Sequence, residues 1–98
     1  MDKKQWIPGE YRAVENKRCL QADVEIDENG EITGFPDTIR NRIRDAAMAT
    51  LGRPVGVAEV GQIIGVQGPA VRSKLAGQRH FKPDEKAAIE NWLGRKIF

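Results

Sequence analysis

Between Pro69 and Lys82 the chain carries four cations, Arg72, Lys74, Arg79 and Lys82, with its single histidine, His80, and no acid. Guanidinium and ammonium groups gathered without carboxylates are suited to phosphate, through charge-assisted hydrogen bonds and through release of the counterions condensed on nucleic acid. An arginine can do more, because its fork matches the O6 and N7 acceptors of guanine in the major groove. Other chemistry is sparse. His80 and the lone Cys19 lie far apart with no motif around either, and one cysteine cannot form an internal disulfide. No GxxxxGK[ST] phosphate loop occurs, and no His, Cys, Asp or Glu spacing suits a metal ion. The sequence therefore leads us to expect no enzyme, no metal site and no cofactor.

Charge is divided along the chain. Residues 1–35 hold 5 basic and 8 acidic side chains, net −3, whereas residues 36–98 hold 11 basic and 6 acidic, net +5. A basic segment of this kind is the electrostatic footprint expected for phosphate contact.

The basic stretch must be held by something, and residues 57–79 supply it. Val57, Val60, Ile63 and Ile64 recur at helical spacing. Gly65 follows, where a left-handed residue can end a helix and turn the chain. Pro69 suits the first turn of a second helix, about 68–76, whose inward side is Val71 and Leu75. Two short helices around a glycine turn make a helix-turn-helix pattern, in which the second helix can enter the major groove.

This run resembles the DNA-binding domains of lambdoid phage regulators: the repressors, the Cro proteins and the CII-type activator. Those show a small residue, then Gly plus an apolar residue, then a further apolar residue, here Gly61, Gly65, Val66 and Val71. The resemblance covers about residues 36–94. Gly61 stands where alanine is usual, Gly68 and Pro69 where many relatives carry polar base readers, and Lys74 where a buried apolar residue is common. The resemblance implies a mainly α, four-helix, lambda-repressor-like domain, to which the alternation in residues 19–26 adds an N-terminal β-hairpin. It also implies a transcriptional regulator that binds double-stranded DNA as a homodimer. By position and outward facing, Gln67, Arg72 and Ser73 are the expected base readers. Lys74, Arg79, His80 and Lys82 are the expected phosphate contacts, which orient a protein without reading sequence.

The remaining elements frame that unit. A helix over 37–51, opened by Asp37 or its neighbour, buries Ile39, Ile43, Ala46, Ala47 and Leu51 and leaves Arg40, Arg42 and Arg44 on its other faces. A fourth helix starts at Pro83, with Asp84 and Glu85 in its first turn, and buries Ala88, Ile89, Trp92 and Leu93. Ile97 and Phe98 lie beyond it as apolar residues that a partner subunit would cover. Upstream, residues 19–26 alternate, with Leu20, Ala22, Val24 and Ile26 on one face, and Asp27 to Gly30 form a turn cluster before Glu31-Ile32-Thr33. The alternation predicts a hairpin with an acidic outer face: Asp23, Glu25, Asp27, Glu28 and Glu31. Trp6, Ile7 and Tyr11 are expected to pack on the body.

The expected organisation is thus an N-terminal arm and hairpin over 1–35 and a helix-turn-helix domain over 36–98. With no run of 18 apolar residues and no signal-peptide pattern, a cytoplasmic protein without membrane contact is expected. A reading from a different class gives the acidic hairpin 23–31 the working role. The chain would then be a protein-binding module, a phage inhibitor of a host system or an antitoxin.

Overall fold

The helices begin and end where proline, glycine and one threonine direct. The computed structural model describes Tyr11–Arg12 and residues 19–98. Three short strands come first: β1 (Tyr11–Arg12), β2 (Val24–Ile26) and β3 (Ile32–Gly34). Four helices follow: α1 (Ile39–Leu51), α2 (Val57–Ile64), α3 (Gly68–Leu75) and α4 (Pro83–Leu93). The described chain is therefore mainly α with an antiparallel hairpin. The expected packing of Trp6, Ile7 and the Tyr11 side chain lies outside the described residues.

Thr38 caps α1, its Oγ1 accepting the Asn41 amide at 3.2 Å, so the helix starts one residue past the cap rather than at Asp37. Ile43, Ala46 and Ala47 face inward at the expected positions. They meet Val60 of α2, Val71 of α3, Ile89 and Leu93 of α4, and Leu20 and Val55 from connecting segments. Each such fully buried aliphatic contributes about 1.5–3 kcal/mol relative to exposure. Leu20 is tied into this core by its own amide, which donates to the Val55 carbonyl at 2.8 Å. The arm and the helices thus share one core.

The sheet order is β1-β2-β3, all antiparallel, with an irregularity at Glu25/Ile26. The strand pairing of Tyr11–Arg12 onto β2 is an addition to the expected hairpin. The turn is an Asx-type turn: Asp27 Oδ1 accepts the amides of Asn29 and Glu31 at 2.8 and 2.9 Å.

The hairpin corrects the sequence reading in one respect. Asp23 and Glu25 do not face water; they are 7% and 5% exposed, while Val24 and Ile26 are only half-buried. The inward direction is set by α1. Arg40, expected on an outer face, is itself buried and lies 3.5 Å from Asp23 Oδ1. Asn41 Oδ1 accepts the Asp23 amide at 2.8 Å, and its Nδ2 donates to the carbonyls of Asp23 and Pro36 at 3.1 and 2.6 Å. Glu25 Oε1 accepts from the Thr33 hydroxyl at 3.1 Å. Buried polar groups need partners; those of Asp23 are on α1, and that of Glu25 is on β3.

The C-terminal tail gives a second correction. Ile97 is 3% exposed and Phe98 is half-buried, both covered by their own chain. Glu90 Oε2 accepts the amides of Ile97 and Phe98 at 2.9 and 3.0 Å, which holds its carboxyl below the ordinary carboxylate range. Arg42 donates to the Ile97 carbonyl at 2.8 Å while its fork grips Asp37 at 2.7 Å. The Phe98 ring packs tilted on Phe81, centroids 5.0 Å apart. No helix among the described residues is long and apolar enough to cross a membrane.

Candidate nucleic-acid interface

The interface is built from α2 upward. Gly65 ends α2 at φ 75°, a conformation glycine adopts without steric penalty, and its amide returns to the Gly61 carbonyl at 2.7 Å. The Val66 amide reaches the same carbonyl at 3.0 Å. These two bonds fold the turn back over Gly61. A Cβ added there would lie 2.6 Å from the Val66 carbonyl oxygen and 3.3 Å from Val71 Cγ2. That contact explains why the position holds glycine: alanine would collide with backbone, which cannot move aside as a side chain can.

The tight turn fixes where α3 starts. Gln67 precedes the helix in extended conformation with its side chain exposed and free of any cap bond. Val71 and Leu75 point inward, so Pro69 and Arg72 are exposed and Ser73 half-exposed. The Ser73 carbonyl accepts the amides of Gln78 and Arg79 at 2.9 and 3.3 Å. The chain after α3 is thereby folded back against the helix end. Gln67, Pro69, Ala70, Ser73 and Arg79 line one open hollow of about 300 Å³. Two expected base readers, Gln67 and Ser73, and one expected phosphate contact, Arg79, are thus brought together. Arg72, His80 and Lys82 are exposed on the same helix or the loop that follows it.

Lys74 is the exception. Its side chain is 7% exposed, and its ammonium donates to Glu85 Oε1 at 2.8 Å and to the His80 carbonyl at 3.1 Å. It also lies 5.8 Å from the centroid of the Phe81 ring, within cation–π range. The expected phosphate contact at Lys74 is thus replaced by a buried ion pair. The reason is positional: Lys74 lies on the same inward stripe as Val71 and Leu75.

Glu85 completes the pair and was not singled out from the sequence, where it reads as an acid favouring the start of α4. It is 5% exposed, and Oε1 also accepts the Lys82 amide at 2.9 Å. Burial pushes its carboxyl up. The Lys74 ammonium and the Lys82 amide outweigh that, leaving it below the ordinary range. The legible signal was a lysine on an apolar stripe, which requires a counter-charge nearby.

On the far side of α2, Arg53 grips Glu59 in a two-pronged pair at 2.7 and 2.9 Å, which lowers the Glu59 carboxyl. Among the described residues no group of three or more His, Cys, Asp or Glu could hold a metal ion. The chain matches no protein-family profile, no curated protein and no solved structure in the three comparisons made.

Proposed function

We propose that the protein is a sequence-specific DNA-binding transcriptional regulator of phage or mobile-element type, with α3 entering the major groove. The observation that carries this reading is the exposed face formed by Gln67, Pro69, Arg72 and Ser73 with Arg79, His80 and Lys82 beside it. No acid interrupts that stretch of sequence. Arg72 would pair with guanine, and Gln67 and Ser73 would add hydrogen bonds to base edges or phosphates. Gly68, Pro69 and Ala70 keep the start of α3 slim, so its backbone can come close to the duplex. Arg79, His80 and Lys82 would contact phosphates. One reading helix spans only a few base pairs, so binding as a homodimer on paired half-sites is part of the proposal. Selection of bound duplexes from a random pool tests it. Enrichment of one motif, and loss of that preference in Arg72→Ala, is the expected result. A pool that stays random would remove the specific regulator.

A second reading keeps a role for the hairpin. Asp27, Glu28 and Glu31 remain exposed, next to Ile32 and Phe35 at 60% and 68% exposure. A protein partner could be gripped there. Capture of a partner that survives Glu28→Gln with Glu31→Gln would count against it.

A further inference from the structure

We infer that the buried Lys74–Glu85 pair is a positioning device for the basic loop 78–82, setting Arg79, His80 and Lys82 in register with the outward face of α3. The inference rests on the DNA-binding reading above. Its starting point is where the hydrogen bonds go. Lys74 Nζ donates once to α4, at Glu85 Oε1, and once to the loop, at the His80 carbonyl. Glu85 Oε1 in turn accepts the Lys82 amide. The pair therefore grips loop backbone at His80 and, through the capping box of α4, the end of the loop at the N-cap Lys82, either side of Phe81, whose ring packs in the core near the ammonium.

Holding α3 against α4 does not call for this chemistry. Well-packed apolar side chains of similar volume do as well in many buried ion-pair sites. An ammonium and a carboxylate offer what apolar side chains cannot, namely directed bonds to backbone atoms. The first half of the loop is already fixed to α3 through the Ser73 carbonyl. The ion pair fixes the second half. With both halves held, Arg79, His80 and Lys82 are presented together, with less ordering needed on binding. With the pair removed, the loop must order as it binds, and affinity falls.

The test uses the full chain with Lys74→Met and Glu85→Leu combined, which keeps the space filled and leaves no buried charge. Three quantities are compared with wild type: thermal midpoint, amide exchange at Gln78 and Arg79, and affinity for a duplex over a range of salt. The expected result is a midpoint lowered by less than in Lys74→Met alone, exchange about tenfold faster, affinity about tenfold weaker and a log–log salt slope shallower by about one. Gln78 and Arg79 are informative because their amides bond to Ser73, not to either substituted residue. A double variant with wild-type exchange, affinity and slope overturns the inference while leaving DNA binding in place. Absence of duplex binding by the wild type at low salt overturns the DNA-binding reading and this inference with it. Should the double variant fail to fold, Lys74→Met with Glu85→Gln is measured in its place; it buries no charge, keeps the Lys82 bond and loses the His80 bond, with the same directions expected and the same unchanged values overturning the idea.

Discussion

Two corners of the molecule bury charge, and they do so to different ends. Under the sheet, Asp23 and Glu25 turn inward to Arg40, Asn41 and Thr33, and the result is a hairpin fastened to α1. Between α3 and α4, Lys74 and Glu85 turn inward, but their bonds run to the backbone of an exposed basic loop. The first corner withdraws two acids from the surface. The second withdraws one lysine and one acid, and its bonds reach the backbone at His80 and Lys82. The comparison shows how a nearly balanced chain sorts its charge. Its positive side chains beside α3 stay outward, while part of its negative set serves the fold. It also weakens the case for the hairpin as an acidic grip, since two of the five expected acids, Asp23 and Glu25, are buried.

The comparison can be broken by substitution, beginning with the largest effect. Lys74→Met alone leaves the Glu85 carboxylate buried without its counter-charge, and chemical denaturation should show a loss of about 3–5 kcal/mol. The double variant described above should recover most of it. At the sheet corner, Asn41→Leu strands an amide and two carbonyls, and the same measurement should show a loss of roughly 2–4 kcal/mol. A clearly smaller loss than at Lys74 sharpens the contrast; an equal loss would mean that both corners are simply structural. Gly61→Ala forces a methyl group against the Val66 carbonyl, at a cost of about 1–3 kcal/mol. Because it disturbs the turn before α3, it should weaken DNA affinity more than Asn41→Leu does at matched stability.

The smallest effect is pH dependence. Asp37, Glu59, Glu85 and Glu90 all have folded-state carboxyls held below the ordinary value. In the window between folded and unfolded values the unfolded chain binds more protons, so stability rises with pH there. It should be complete above about pH 5 and decline as pH falls through about 4 and below. Midpoints measured from pH 6 down to pH 3 check this. The Lys74→Met, Glu85→Leu variant should decline less steeply, since one of the four carboxyls is gone.

Much of this was legible in the residues. Glycine and proline punctuation at Gly52, Gly65, Pro69, Pro83 and Gly94 fixed the helix bounds, because those residues restrict the backbone locally. The gathering of Gln67, Ser73 and Arg79 along one side of α3 followed from helical periodicity and a tight turn. What was not legible depended on contacts between distant segments. Alternation in residues 19–26 separates two faces but does not say which is inward; Arg40 and Asn41 decide that from another element. A lysine at position 74 announced a departure, but Glu85 lies in the next helix and reads locally as a first-turn acid. Ile97 and Phe98 read as uncovered because the groups that hold them, Glu90 and Arg42, bind backbone, which has no sequence signature.

The most direct test of the central claim is the salt dependence of duplex binding by the wild-type protein and by Arg79→Ala with Lys82→Ala. The account predicts tight binding at low salt, a log–log slope of about −3 or steeper per protomer, and a slope shallower by about two per protomer in the variant. A wild-type protein with no measurable duplex affinity at low salt, or a variant indistinguishable from it, would contradict the account.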